Sequence, residues 1–332
     1  MSTSENDMFV EAIEAILVDR ATPAAVRAIE RGESPQALWS AIAEAGFLEL
    51  LAPEERGGAA LPLIDVFGVI VMLGRHAVPA PVTQAIVARA LLDDPAPGGM
   101  ITIASNVIAA DGWSLPSLPY AAMADHVIVA CDGRIELFAT ADATAGAPMT
   151  HGSSLATLAW PASPPAIASR ADGDAADAVA ATAAAVHAAL ICGALNRVFE
   201  MTLAFCNDRV QFGKPIGKFQ SIQHQLSVMA EHVAAATVAA EAAFDSTGPL
   251  PALLPAAMAK ARASEAAALV ANIAHALHGA IGFTEEYDLQ LFTRRLHEWR
   301  VAHGSEDYWN RRIGRALLAD TRGMVDFVRH IQ

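Results

Sequence analysis

Two alanine-rich runs of helical pattern, about residues 175 to 207 and 220 to 244, are joined by Asp208-Arg-Val-Gln-Phe-Gly-Lys-Pro-Ile-Gly-Lys-Phe-Gln220. This joint constrains the fold most. Gly213, Pro215 and Gly217 cannot sit inside one continuous helix, because glycine loses most backbone entropy on ordering and proline removes a donor. The chain therefore breaks here. Arg209, Gln211, Lys214, Lys218 and Gln220 crowd donors around the break, and an arginine fork matches a phosphate or carboxylate in two parallel bonds. Two readings stay open at this point: an ordinary turn with a solvated charged rim, or a turn that holds an anionic ligand.

Beyond the joint, Ile222, Leu226, Met229 and Val233 recur at helical spacing and make one apolar stripe, as a helix bundle requires. Gly248, Pro249 and Pro251 mark a loop, and a third helical run follows from about Leu254 to Leu277. It ends in Ala276-Leu-His-Gly-Ala-Ile-Gly-Phe-Thr284, where Gly279 and Gly282 supply a helix C-cap and allow close backbone approach to a ligand. His224 and His232 lie eight apart on the second helix without carboxylate or thiol companions, so they read as structural.

Ahead of these helices the pattern differs. Residues 5 to about 92 read as helices with short joints: Phe9, Ile13, Ile16 and Leu17 keep helical spacing, as do Leu38, Ile42, Ala45 and Leu48. The loop Leu51-Ala-Pro-Glu-Glu-Arg-Gly-Gly leads into a further helix from about Leu63 to Leu73, which Gly74-Arg-His-Ala-Val-Pro-Ala-Pro81 ends. From about Pro95 to Pro165 short β-rich runs appear, Met100–Ala104, His126–Cys131 and Arg134–Ala139, the last two joined by the hairpin signal Asp132-Gly133. This region shows no glycine-rich phosphate loop and no Ser/His or Cys/His pair in a persuasive local context, and His151 reads as incidental. Residues 168–174 read as a linker.

The whole is therefore an α+β chain, mostly helical: an N-terminal helical domain (1–94), a short middle β domain (95–168) and a C-terminal helical bundle (169–332). At 332 residues it can hold two or three domains, and the 54% hydrophobic content is largely alanine, which suits close-packed helices. A net charge of −14 argues against nucleic acid or an anionic membrane as partner. Arg294, Arg295, Arg300, Arg311, Arg312, Arg315, Arg322 and Arg329 fall in the last fifth, an asymmetry that could serve an anionic ligand or an acidic partner. Cys131, Cys192 and Cys206 have no metal-like spacing and suit a reducing cytoplasm. No signal peptide is read at the amino terminus, and no membrane span, since the apolar stretches are expected to break before the roughly 20 residues a spanning helix needs.

Arg209-Val-Gln-Phe-Gly-Lys-Pro-Ile-Gly-Lys-Phe-Gln220, together with His278-Gly-Ala-Ile-Gly-Phe-Thr-Glu-Glu-Tyr287, resembles the acyl-CoA dehydrogenase family. The resemblance extends over nearly the whole chain. It implies helices, a β domain and a four-helix bundle, bound FAD, and removal of hydrogens from the α and β carbons of an acyl-CoA thioester. It implies cofactor contacts at Arg209, Gln211, Phe212, Gln220, Gly279 and Ser305, with Arg209 on the FAD pyrophosphate of a neighbouring subunit and Gln220 on the adenosine half. A forked cation and amides at a helix junction can hold a diphosphate without doing redox chemistry.

The chain also departs from the family pattern. In the cofactor turn, Ala276 stands where members usually have glutamine, and Gly279-Ala280 stands for a glycine pair. The two positions from which members supply a catalytic glutamate fall on His303, before Gly304-Ser305, and on Ala183. The Thr-Glu-Pro and Ala-Gly-Ser contacts to the flavin ring have no counterpart. The resemblance is thus to the shorter, non-catalytic type of subunit in bacterial heteromeric dehydrogenases that act on steroid side chains. It implies a catalytic partner subunit in a heterotetramer, a shared FAD and an electron-transfer flavoprotein as acceptor. Two alternatives remain: a self-sufficient homo-oligomer using His303 or a displaced carboxylate such as Glu306 or Asp307, and a flavin-free structural or regulatory relative.

Overall fold

The computed structural model describes residues 3–93, 96–109, 112–150, 152–329 and 331. His151 and the expected boundary at residues 94 and 95 lie outside the described residues. The chain opens with five helices, α1 (Thr3–Arg20), α2 (Pro23–Glu30), α3 (Gln36–Glu44), α4 (Leu63–Arg75) and α5 (Val82–Leu91). Ile13 and Leu17 of the predicted stripe are fully buried. The Leu38 to Leu48 stripe is not one helix: Gly46 turns left-handed at φ 82°, and Phe47–Glu49 continues as a 3-10 turn. Leu48 is buried all the same, because the turn folds back on the same core.

Seven strands follow: β1 (Ile101–Ala104), β2 (Trp113–Leu118), β3 (His126–Cys131), β4 (Arg134–Ala139), β5 (Thr144–Ala145), β6 (Ala156–Trp160) and β7 (Ala166–Ala171). They form a four-stranded sheet in the order β1-β3-β4-β7 and a three-stranded sheet in the order β2-β6-β5. Alternation along a strand sends successive side chains to opposite faces. Val127 and Val129 accordingly pack with Trp113, Leu115, Leu158 and Trp160 between the two sheets, while Ile128 of the same strand joins the main helical core. Residues 168–174, read as a linker, are a strand through Ala171: β7 pairs antiparallel with β4. Strand β2 carries Pro116, which masked its alternation in the sequence.

Helix α6 (Ala175–Asp208) is the axis of the molecule. A two-stranded hairpin, β8 (Val210–Gln211) and β9 (Lys214–Pro215), leads to α7 (Gln220–Phe244) and α8 (Leu253–His278), then α9 (Leu289–Val301), α10 (Glu306–Ala319) and α11 (Met324–Arg329). The three long helices begin and end within one residue of the sequence expectation. Helix α6 packs against α4, α7, α8 and α9. The expectation that no apolar stretch reaches spanning length is corrected here: Ala175–Asp208 and Leu253–Phe283 are both long and apolar enough to cross a membrane. The most apolar window of α6 is 89% buried inside the protein. A helix enclosed by protein on all sides has no polar face to present, so its composition follows from its central position.

The α4–α6 crossing is close. A Cβ on Gly193 would lie 2.0 Å from the Val71 carbonyl oxygen, and one on Gly74 2.1 Å from that of Leu190. Gly193→Ala should therefore push the helices apart and cost roughly 1–3 kcal/mol. Urea unfolding reads this loss; an unchanged midpoint would show that the crossing yields freely.

Candidate functional site

The sequence joint folds as a small hairpin. Arg209 caps α6 at φ −73°, Phe212 and Gly213 both take positive φ (52° and 80°), and a 3-10 turn over Ile216–Lys218 enters α7 at Gln220. Two successive residues at positive φ make the tight turn whose twist matches a hairpin. The hairpin lies back on α6, where the Ile216 amide donates to the Arg209 carbonyl at 2.8 Å. Phe212 is 92% exposed at the tip, its ring edge-on to Phe219 at 6.1 Å, and Lys214 Nζ sits 4.4 Å above the Phe219 ring. Arg209, Gln211 and Gln220 are exposed. Among the described residues the Arg209 guanidinium has no ion pair. A cation that no carboxylate neutralises, flanked by two free amides, fits a diphosphate arriving from outside this chain.

The second motif sits beside the end of α6. After α8, Gly279 takes φ 65° and ψ −145°, a conformation essentially reserved for glycine, and a 3-10 turn runs from Gly279 to Phe283. Phe205, in the last turn of α6, stacks on His278 at 4.3 Å, and Tyr287 closes the aromatic group at 5.2 Å from His278. Burial raises the Tyr287 phenol pKa; Arg197 opposes this, while Asp288 and Asp208 add to it. Two motifs some seventy residues apart in sequence thus meet at one end of α6. Ser305 is the N-cap residue of α10.

Around the expected base position the structure adds residues that the sequence did not single out. His303 lies between α9 and α10 at φ 56°, and this strained loop is held from three sides. Lys260, fully buried on α8, donates to the Arg300 carbonyl at 2.8 Å, the Gly304 carbonyl at 2.9 Å and Ser264 Oγ at 2.9 Å. Trp309 Nε1 donates to the His303 carbonyl at 3.1 Å. Ser105, just past β1, hydrogen-bonds His303 Nδ1 across 198 residues of sequence. Here is the Ser/His pair that local context did not reveal.

His187, fully buried on α6, meets the His303 ring edge-on at 4.6 Å, and its Nδ1 lies 2.9 Å from the Ala183 carbonyl. The two candidate base positions, Ala183 and His303, therefore converge on one spot through a residue one helical turn from Ala183. Burial, reinforced by Lys260 and opposed by the Ala183 bond, pushes the His187 pKa down to about 3. Burial with His187 and Lys260 nearby holds His303 well below 6.5. Burial lowers Lys260 to about 7, with Glu306 opposing. A lone His and a lone Lys within alanine-rich helix interiors were the signal available in sequence.

The displaced carboxylates are engaged elsewhere: Glu306 chelates Arg300, and Asp307 pairs with Arg311 at 2.8 Å. The C-terminal arginine surplus is absorbed in the same way. Arg294 and Arg295 pair with Glu30, Arg312 with Asp177, Arg322 with Asp320 and Arg329 with Asp326. These pairs neutralise internal carboxylates, so most of the asymmetry is not an open anion site.

The family model described as acyl-CoA dehydrogenase, N-terminal domain, matches residues 3–93, and that for the C-terminal domain matches residues 175–318. Acyl-CoA dehydrogenase IpdE2 of Mycobacterium tuberculosis is 33% identical over 301 residues, covering 88% of this chain and 91% of the relative. Acyl-CoA dehydrogenase FadE34 of the same organism is 29% identical over 330 residues, covering 91% of this chain but 46% of the relative. In the ChsE4-ChsE5 complex from Mycobacterium tuberculosis, the matched chain superposes with a TM-score of 0.81 at 23% identity, covering 96% of this chain and 99% of that one. A variant of the Tcur3481-Tcur3483 steroid ACAD superposes at 0.79 with 24% identity, covering 95% and 98%. At these identities the two structures share the fold. With both terminal domains matched and IpdE2 aligned over nine-tenths of its length, this chain belongs to the acyl-CoA dehydrogenase family, flavoprotein oxidoreductases acting on CH–CH groups.

Proposed function

We propose that this chain is the cofactor-completing subunit of a heteromeric, FAD-dependent acyl-CoA dehydrogenase, holding the diphosphate and adenosine side of a flavin whose ring lies in a catalytic partner. The carrying observation is a division within the chain. Arg209, whose guanidinium has no ion pair among the described residues, stands exposed with Gln211 and Gln220. The base position instead carries His303, bonded to Ser105 and held neutral by burial. Removing an α-proton beside a thioester calls for a general base matched to that task, and an imidazole well below its usual pKa is a weak one.

In this reading Arg209 grips the pyrophosphate, Gln211 and Gln220 read the adenosine half, Phe212 packs against the cofactor, Gly279 admits close backbone approach, and Ser305 adds a hydroxyl. FAD supplies the hydride acceptor when bound. The partner contributes the carboxylate base and most of the acyl pocket, in a heterotetramer. Similarity to a chain from the ChsE4-ChsE5 complex and to one from a steroid ACAD supports a heteromer acting on a bulky, steroid-type acyl-CoA. An electron-transfer flavoprotein is the acceptor, and the complex works in the cytoplasm.

Purifying the chain with and without a catalytic homologue and counting flavin by visible absorbance tests the reading. The expected result is about one FAD per two chains in the complex and none on the chain alone, because the ligand is retained only at a completed site. Arg209→Ala should weaken FAD retention roughly 10- to 100-fold, the worth of one charge-assisted contact, with assembly unchanged by size exclusion. A yellow homotetramer of this chain that oxidises an acyl-CoA would sink the proposal.

A further inference from the structure

A second cavity, of about 300 Å3, is walled by α1, the joint into α2, the end of α4, the second half of α6 and the start of α9. None of its lining residues belongs to the two motifs or to the loop that carries His303. Four ionisable side chains border it: Glu14, Arg75, His76 and Arg197. Arg75 is engaged, both arms of its fork bonded to the Glu200 carboxylate at 2.7 Å. Glu14 and Arg197 are not. Both are half-buried, and among the described residues neither has an ion pair or a side-chain hydrogen bond.

His76, at the C-cap of α4, lies within reach of both charges. Burial lowers its pKa first; Glu14 opposes the fall, while Arg75 and Arg197 add to it, so at pH 7 the ring contributes no charge. The cavity therefore presents one free carboxylate and one free guanidinium that do not reach each other. A charge partly withdrawn from water and given no counter-charge is unfavourable, and a ligand that brings the counter-charge removes that cost. A simple anion on Arg197 would face Glu14, and a simple cation on Glu14 would face Arg75 and Arg197. Only a ligand carrying both signs satisfies both ends.

Arg197 is presented for such a ligand. Its guanidinium lies over the Phe292 ring, 5.9 Å from the centroid, a contact that orients the planar fork and leaves its edge donors free for a carboxylate. The rest of the wall is apolar, with Val26, Leu291 and Phe292 all buried. We propose that this cavity binds a free α-amino acid with an apolar side chain. The carboxylate lies on the Arg197 fork, the ammonium on Glu14, and the side chain against Val26, Leu291 and Phe292. The two charges of an α-amino acid stand one carbon apart, and a charge-assisted bond of about 2.7–2.9 Å on each side spans the gap between the protein groups. The volume suits a molecule the size of leucine or phenylalanine, at the small end of ligand pockets. The site needs neither flavin nor partner subunit.

Isothermal titration of the full chain alone tests this with L-leucine and L-phenylalanine, beside isocaproate and isoamylamine, which keep the leucine side chain with one charge each. Saturable binding of at least one amino acid, with a Kd of about 1 mM or tighter, is expected, and binding at least roughly 10-fold weaker for the two singly charged analogues. Arg197→Gln and Glu14→Gln should each weaken the amino acid roughly 10- to 100-fold, the worth of one charge-assisted contact. In Glu14→Gln, leucine should also lose its advantage over isocaproate. Should Arg197→Gln not fold, the isosteric Glu14→Gln change and the analogue series decide. The proposal is overturned if neither amino acid binds saturably, if isocaproate binds as tightly as leucine, or if either folded variant keeps the wild-type affinity. The flavin count of the complex is a separate measurement, so failure here leaves the cofactor-completing role standing.

Discussion

Lowering the pH from 7 to 4.5 should destabilise this protein by several kcal/mol, and His187 should carry much of the loss. Its pKa falls from 6.5 to about 3 on folding, first because burial removes the charged form from water. The unfolded chain therefore binds a proton that the native state refuses. Stability is fully present above pH 6.5 and is lost as pH falls toward 3. At about 1.36 kcal/mol per pH unit, the two units down to pH 4.5 remove roughly 3 kcal/mol through this one residue. His303, His126, His275 and His278 shift in the same direction for the same leading cause. Lys260, lowered to about 7, extends the trend upward, since between pH 7 and 10.5 only the unfolded chain holds its proton. Burial raises Cys192 and Tyr120 to about 12, which reverses the sign at high pH. Maximum stability should fall at roughly pH 8 to 9. Urea midpoints across pH 4.5 to 9 for wild type and His187→Gln measure this; a wild-type midpoint flat below pH 7, or equal slopes in both chains, would refute it.

Glu30→Ala should cost about 3–5 kcal/mol, far more than an ordinary surface carboxylate. Glu30 is the last residue of α2, its side chain 6% exposed, and its two oxygens reach Arg295 at 2.8 Å and Arg294 at 2.6 Å. The Arg295 side chain, 3% exposed, is otherwise held by Glu298 at 3.1 Å, and Glu298 in turn accepts from the Ser154 amide at 3.1 Å. These bonds tie the N-terminal helices, the β region and α9 into one buried network. Removing Glu30 leaves Arg295 in low dielectric with half its counter-charge, the costly way to break a buried pair. By contrast, Glu285→Ala breaks the Arg31–Glu285 pair, whose side chains are 57% and 63% exposed, and should cost less than about 1 kcal/mol. Thermal melts of the two variants compare the cases directly, with a drop of roughly 10 °C expected for Glu30→Ala alone. Equal melting temperatures would show that the network contributes nothing.

The helical bundle was readable because its signals are local. Glycine and proline at 213, 215, 217, 248, 249 and 251 break the chain, and apolar spacing runs between the breaks, so the ends of α6, α7 and α8 follow from neighbours in sequence. The strands were half readable. β3 and β4 announce themselves through β-branched residues and Asp132-Gly133, whereas β2, β6 and β7 hold short alternations among Pro and Ala, and only pairing partners distinguish them from loop.

The candidate site divides in the same way. The Arg209 to Gln220 joint and the Gly279 turn are continuous motifs, so residue order alone marked them, along with the missing carboxylates at Ala183 and His303. Nothing in that order joins Ser105 to His303, or His187 to His303. Those contacts exist because α6, the loop after β1 and the loop after α9 converge, and Lys260 holds the last of these in place from a fourth element. Sequence by itself determined the family, the helices and the place where a base is lacking. Tertiary structure alone decided what stands there instead, because the protonation and bonding of a buried imidazole depend on groups brought close by packing, not on its neighbours along the chain.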